Sequence, residues 1–393
     1  MNRKRRLVVV GLGMALKPHF ESLRDLADRA EVVAWYTPSE ARRLAFEHAH
    51  PGLPVRSDLD ELLADQRIEA VLLLTPPFSH LELIERCAAH GKHVLVEKPL
   101  DVTSERARAA VATMERANLR LGVVLQHRFR TAAQHLAGLV AAGELGPLIS
   151  GSAAIRWWRP AEYFAQAGRG TKARDGGGVL LTQAIHTLDL FQSLTGKVVR
   201  VSAMATTSRL RQIDTEDVAC AALRFANDAI GTLDATTVAY PGFPERIELA
   251  CEAATAVLAA ETLDIYYKDG RHTHEEGGPS LSGGADPMAF SHQAHRALIA
   301  DFLGAVDQNR EPAVSGREAL KVQMLIEALL QSAREGRAIA VGAEPPEQPG
   351  ETAHDKDRSV GRLAGRCAQQ RGMVAPDGTG GGRVLFRGIR QRG

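Results

Sequence analysis

The sequence predicts an α/β protein in which an N-terminal, doubly wound parallel sheet precedes a second domain built on a mostly antiparallel sheet. Three observations carry this. From residue 6 to about 125, short β-rich runs alternate with helical patterns, the rhythm of βαβ units. A glycine turn, Gly11-Leu12-Gly13, separates the first run from the first helical stretch. After Gly151 the alternation gives way to successive strand-like segments joined by turn signals.

The expected strands of the first half are Leu7 to Val10, Val32 to Tyr36, Ala70 to Leu74, His93 to Val96 and Arg120 to Leu125. The helical patterns between them run from Pro18 to Ala30, Ser39 to Ala49, Phe78 to Ala89 and Thr103 to Ala117. In the second half, Arg200 to Ser208, Asp217 to Phe225, Ala229 to Thr237, Glu245 to Cys251, Ala256 to Ala260 and Thr262 to Lys268 read as strands. Turns such as Ala226-Asn227-Asp228 join them. Helical period returns from Gln293 to Val306 and from Gly316 to Arg334, where Ser315 is placed to cap the Glu318 amide. Three parts are expected: residues 1–125, residues 126–342, and a Gly/Arg-rich, disordered tail over residues 343–393.

Composition narrows the function. The chain has 393 residues, 45% hydrophobic and 24% charged, with formal net charge +1, enough apolar sequence for a sizeable core. No basic stripe interleaved with aromatics precedes residue 343, so nothing asks for nucleic acid. Cys87, Cys220, Cys251 and Cys367 are far apart with no Cys-x-x-Cys spacing, as expected of thiols in a reducing compartment. The basic start and apolar Leu7 to Leu16 imitate a secretory signal, but Gly11 and Gly13 break the run. No stretch reaches the roughly 18 apolar residues of a spanning helix. A cytoplasmic protein without a membrane partner is expected.

Gly11 permits a sharp turn and Gly13 the close approach of a dinucleotide pyrophosphate to backbone N–H groups; Met14 follows, and Leu16 fills the third small position of the pattern. The second strand ends Tyr36-Thr37-Pro38-Ser39 with no carboxylate for ribose hydroxyls. Thr37 and Ser39 with Arg42 or Arg43 could instead receive a 2′-phosphate, which favours NADP over NAD; solvated arginines are the alternative. Thr75-Pro76-Pro77 and His80 follow the third strand at the edge where such sheets bind ligands, as a stiff wall or a plain rigid loop. Glu97-Lys98-Pro99 closes the fourth strand and sets a lysine where a nicotinamide ring would lie. Downstream, Gly176-Gly177-Gly178 enters a helical stretch carrying Thr182, His186 and Asp189.

With these residues assembled, residues 6 to 342 resemble the glucose–fructose oxidoreductase, inositol dehydrogenase and MocA-type family of NAD(P)-dependent oxidoreductases. The resemblance rests on Gly11-Leu12-Gly13 with His19, Thr75-Pro76-Pro77 with His80, and Glu97-Lys98-Pro99. It also rests on Gln126-His127-Arg128-Phe129, on Gly176 through His186 and Asp189, and on Ile213 through Asp217. It implies a Rossmann domain, an α/β domain with a large open antiparallel sheet whose outer face builds homodimers or homotetramers, and sugar, nucleotide-sugar or cyclitol substrates. Carried over by position, Gln126 belongs to the cofactor site with the turns above. Lys98 is the catalytic or orienting lysine, and His186 exchanges a proton with the substrate hydroxyl. Many members carry an aspartate four residues before that histidine; here Thr182 stands there and supplies no charge.

Alcohol oxidation needs one group to take the hydroxyl proton and another to steady the developing alkoxide, roles that suit His186 and Lys98. Asp189 either orients His186 or pairs elsewhere. Arg128, Trp158, Arg159, Tyr163, Arg169 and Thr182 are further expected substrate contacts, since aromatic and guanidinium groups stack on sugars and bind carboxylate or phosphate. His272-Thr273-His274 reads as a hairpin loop rather than a metal site. Two rival functions remain open at this point, a nucleotide-sugar 3-dehydrogenase and a dinucleotide-binding regulator without chemistry.

Overall fold

The computed structural model describes residues 3–166, 168–277 and 291–342. The expected disordered tail over 343–393 lies outside the described residues.

Six parallel strands form the first sheet: β1 (Arg5–Val10), β2 (Ala30–Tyr36), β3 (Val55–Arg56), β4 (Ala70–Leu73), β5 (His93–Val96) and β6 (Leu121–Val123), in the order β3-β2-β1-β4-β5-β6. Between them run α1 (Leu16–Asp25), α2 (Glu40–Ala49), α3 (Leu59–Ala64), α4 (His80–Ala89) and α5 (Ser104–Arg116). Leu7, Val8, Val9 and Val10 are all buried, the unbroken apolar run of a strand covered on both faces. The order reverses between β1 and β4, which opens a crevice at the strands' carboxyl ends. The sequence reading omitted β3 and α3. They span only two and six residues, and α3 is announced chiefly by Asp58, whose carboxylate caps the Asp60 and Glu61 amides.

After α6 (Thr131–Ala141) the chain builds nine strands: β7 (Leu148–Arg156), β8 (Val198–Thr206), β9 (Val218–Phe225), β10 (Ile230–Thr236), β11 (Arg246–Cys251), β12 (Ala254–Ala259), β13 (Thr262–Tyr267), β14 (His272–Glu275) and, after the last helix, β15 (Ile339–Ala340). Their order is β14-β13-β12-β11-β7-β10-β9-β8-β15, antiparallel throughout except for the β7–β10 pair. The central strand β7 escaped the sequence reading because its inward positions include Gly151 and Ala153; a Cβ on Gly151 would come within 3.1 Å of the Phe191 ring. The reading of His272-Thr273-His274 as a loop is corrected: these residues form edge strand β14, both imidazoles turned to Asp264 at 3.0 and 2.8 Å.

Two short helices, α7 (Ala161–Phe164) and α8 (Lys172–Asp175), and a π-helical turn at Leu180–Ala184 lead into α9 (Ile185–Thr195). α10 (Gln293–Gln308) then lays Leu298, Ile299, Phe302 and Leu303 against Leu7, Val9, Leu72 and Leu95 of the first sheet. Finally α11 (Gly316–Glu335) packs on α5 and β8, its N-terminus capped by the Ser315 hydroxyl accepting from the Glu318 amide at 3.3 Å. Among the described residues no helix is long and apolar enough to cross a membrane.

Candidate active site

A cavity of about 1020 Å³ runs from the carboxyl ends of β1, β2 and β4, past β5, to the wall formed by β7, α8 and the π turn. That is the upper end of the range for small-molecule pockets, as befits a cleft taking two ligands.

At its first end, Gly11 has φ of +109°, and a Cβ there would lie 2.7 Å from the Leu74 carbonyl; only glycine makes this turn. A Cβ on Gly13 would meet nothing within 4 Å, so the space beside it is open to a phosphate at the start of α1. These features fit a dinucleotide. Met14, Thr37, Ser39, Arg42, Thr75, Pro76, Pro77, Glu97 and Gln126 all line the same cavity. The expected 2′-phosphate receptor is thinner than the sequence suggested. Thr37 is buried, Ser39 accepts from the Arg42 amide as the α2 cap, and Arg43 folds back onto the Thr37 and Pro38 carbonyls at 3.2 and 2.9 Å. Arg43 is thus turned away onto the backbone, and Thr37, Ser39 and Arg42 line the cavity there.

His80, expected beside the cofactor, is instead fully buried behind the wall. One ring nitrogen faces the Thr75 carbonyl at 2.9 Å, and the other faces the Pro99 and Leu100 carbonyls at 3.0 and 3.2 Å. It ties the Thr75-Pro76-Pro77 turn to the segment after Lys98, so its position at the first residue of α4 is spent on bracing. Burial lowers its pKa, with the carbonyls opposing.

Glu97 accepts from His19 Nε2 at 2.7 Å, and its other oxygen accepts from the Lys98 amide at 3.0 Å. Burial works to raise its pKa, but the His19 hydrogen bond and the nearby charges of His19, His295 and Lys98 hold it below the usual carboxylate range. Donor atoms of His19, Glu97 and His295 converge within 4.8 Å. The 2.7 Å His19–Glu97 contact is shorter than the roughly 3.3 Å edge between ligands on a zinc-sized ion, so the pair is a hydrogen bond rather than a preformed metal site.

Lys98 reaches from the end of β5 to the π turn, where its Nζ donates to the Thr182 carbonyl at 2.7 Å. Burial lowers its pKa, Glu97 pulls it up, and Arg169 pushes it down. His186 opens onto the cavity one turn later. Its Nδ1 is buried without a hydrogen-bond partner, which leaves Nε2 as the nitrogen available to a ligand. Burial, with Lys98 and His127 close by, drives its pKa well below the ordinary value, so the ring is neutral. The Thr182 hydroxyl donates to the Gly178 carbonyl at 2.7 Å, and its backbone carbonyl, four residues before His186, receives Lys98.

Arg159, Tyr163, Arg169 and Thr182 line the cavity as expected, whereas Arg128, Trp158 and Asp189 do not. Arg128 and Asp189 pair with each other in a two-pronged contact of 2.7 and 2.6 Å, and burial pushes the Asp189 carboxyl up to about 6 against the pull of Arg128. Asp189 therefore does not orient His186. At the end of β7 side chains alternate, so Trp157 and Arg159 face inward while Trp158 packs edge-on against Tyr240.

Several lining residues had gone unassigned. His127 lies with its ring 5.1 Å from that of His186 and accepts from Arg130 at 2.8 Å; Arg130 in turn pairs with Glu245. Gln183 donates to the Tyr163 hydroxyl at 3.2 Å. His127 stood in plain view next to Gln126; Gln183, Arg130 and Glu261 carry no local motif.

Comparison with known proteins finds two family models that match the chain. Residues 5–125 match the model of an oxidoreductase family with an NAD-binding Rossmann fold, and residues 133–257 match the GFO/IDH/MocA C-terminal domain. D-apiose dehydrogenase of Paraburkholderia graminis is 28% identical over 351 residues, covering 88% of this chain and 92% of its own. Inositol 2-dehydrogenase of Rhizobium meliloti is 26% identical over 348 residues, covering 86% and 99%. The structure of the WlbA dehydrogenase from Bordetella pertussis, in complex with NADH and UDP-GlcNAcA, is similar with a TM-score of 0.75 and 29% identity over 87% of this chain and all of that one.

Proposed function

The chain belongs to the GFO/IDH/MocA family of NAD-binding oxidoreductases, and from that premise we propose that it interconverts a secondary alcohol and a ketone on a sugar, cyclitol or related polyol. The observation that carries this reading is that Lys98 and His186 open onto one cavity continuous with the Gly11–Gly13 turn.

Bound NAD supplies the hydride acceptor, and the residues of the cleft bind, orient and handle the proton. The Gly11–Gly13 turn and the start of α1 would hold the pyrophosphate, and the Thr75–Pro77 wall and Glu97 would line the cofactor's side of the cleft. Lys98 directs its ammonium at the substrate oxygen and steadies the developing alkoxide. Neutral His186 accepts the hydroxyl proton at Nε2, and returns it in the reductive direction. Trp157 and Tyr163 line the substrate end of the cleft, with the Arg159 and Arg169 guanidiniums held over their rings. NAD is favoured over NADP, because Arg43 is turned onto the Thr37 and Pro38 carbonyls and one guanidinium, Arg42, lines that end of the cavity for a 2′-phosphate. WlbA supports a second reading, a nucleotide-sugar dehydrogenase, since the arginine-rich wall would suit such a ligand.

The same reading includes a division of labour near residue 125, a cytoplasmic setting, and a homodimer or homotetramer formed through the outer face of the nine-stranded sheet, where Ile149, Met204 and Ile230 are exposed. Titration of NADH and NADPH into the purified protein, followed by a polyol and keto-sugar panel, tests it. NADH binding with turnover is expected; dinucleotide binding without any turnover would favour the regulator instead.

A further inference from the structure

We propose that His127 is a positioning residue for His186: the buried Arg130–Glu245 pair holds the His127 imidazole in one tautomer, and the face of that ring sets the orientation of His186. The proposal rests on the oxidoreductase reading above and adds a residue to the machinery of the same site.

A base that meets a hydroxyl at one nitrogen is ordinarily oriented by a hydrogen bond at the other. His186 lacks that bond. Its Nδ1 is buried without a partner, and the carboxylate one turn further on, Asp189, is engaged with Arg128. What the ring has is a neighbouring ring. The His127 imidazole lies 5.1 Å away, centroid to centroid, with 30° between the planes, so the two pack offset and near-parallel. His127 belongs to the short 3₁₀ turn Gln126–Phe129 that follows β6, not to α9, so the contact ties the base to the first sheet.

His127 is itself held at both nitrogens. Its Nε2 lies 2.8 Å from Arg130 Nη2. A guanidinium only donates, so Nε2 keeps its lone pair and the ring proton sits on Nδ1, 3.4 Å from the hydroxyl of Thr187, the residue next to His186. Arg130 is fixed in turn by Glu245, the residue before β11, with Glu261 3.7 Å from its Nε; His127, Arg130 and Glu245 are all buried. Because both of its nitrogens are engaged, His127 passes no proton on and acts through its shape. Protonating it would break the Arg130 contact, so no second cation forms against His186. Burial first, then the charges of Lys98 from β5, Arg130 from the start of α6 and His295 from α10, keep both rings neutral.

The first test reads the ring directly. Long-range proton–nitrogen correlation spectra of the histidine-labelled protein are recorded across pH, with His127→Gln and His127→Phe assigning the signal. His127 is expected to show the Nδ1–H tautomer and to stay neutral from about pH 8 down to about pH 5. An Nε2–H tautomer, or protonation in that range, would overturn the proposal whether or not the protein turns a substrate over. Kinetics give the second test. His127→Gln keeps an acceptor for Arg130 but removes the ring, and kcat should fall about tenfold with KM and NADH Kd within about threefold. His127→Phe restores a ring face and should recover part of the loss, thermal melts of both variants reporting on folding. Replacing Arg130→Met together with Glu245→Gln removes the pair without stranding a buried charge. The cation that opposed protonation is then gone, so the acid limb of kcat/KM should move up by about one pH unit. Unchanged kcat in folded His127→Gln, a loss carried by KM instead, or an unmoved limb would each overturn the proposal. Absence of all turnover despite NADH binding would count against the oxidoreductase reading, and the tautomer then decides the hold on His127 by itself.

Discussion

The two ends of the cleft are made of different material. The cofactor end is largely backbone at the edge of a parallel sheet: the Gly11–Gly13 turn, the Thr75–Pro77 wall and the segment after Glu97, braced from behind by His19 and His80. The substrate end is side chains, with Lys98, His186, Trp157, Tyr163 and the guanidiniums arriving from separate elements. A backbone wall recognises what every dinucleotide shares, while a side-chain wall can be changed residue by residue. Chemistry and cofactor binding should therefore separate under mutation.

The sharpest break is Lys98→Ala. Removing the ammonium is expected to lower kcat/KM by about a thousandfold, within the range for a positioned acid–base group, while NADH affinity stays within about threefold. Steady-state kinetics beside NADH titration measures both.

The glycine pair sharpens the other side. Gly11→Ala places a methyl 2.7 Å from the Leu74 carbonyl at a left-handed φ and should destabilise the protein by about 2 kcal/mol, read in denaturant melts. Gly13→Ala puts the methyl into open space. Its melting should be nearly unchanged while its NADH Kd rises about tenfold or more, because the methyl occupies the phosphate's approach.

Glu97→Gln couples the two ends. The lost carboxylate no longer raises the Lys98 pKa, so the alkaline limb of the kcat profile, already below the ordinary lysine value of 10.5, should move further down, with kcat falling about tenfold.

That contrast also explains what could be read in advance. The cofactor wall is written in contiguous segments, so Gly11-Leu12-Gly13, Thr75-Pro76-Pro77 and Glu97-Lys98-Pro99 stood out, together with the doubly wound sheet that presents them. Membership of the oxidoreductase family was legible from the same motifs. The substrate wall was only partly legible. Arg128 and Asp189 are 61 residues apart, and nothing local reveals that they pair with each other and leave the cavity. Inward Trp157 rather than Trp158 depends on where β7 meets β10, and β7 was hidden by its small inward residues. Gln183 becomes a wall residue because the chain widens into a π turn before α9. Thr182 looked like the loss of a charged partner, whereas its backbone carbonyl receives the Lys98 ammonium.

The central claim is that a neutral His186 and a cationic Lys98 divide the proton work at the shared cavity. The most direct test is the pH dependence of kcat/KM for alcohol oxidation in the wild type and in His186→Asn. Because burial lowers the His186 pKa, the base is already competent across neutral pH, and the rate should fall only on acidification through a limb well below 6.5 that disappears in the variant. A limb at or above 6.5, or one that survives His186→Asn, would contradict the account.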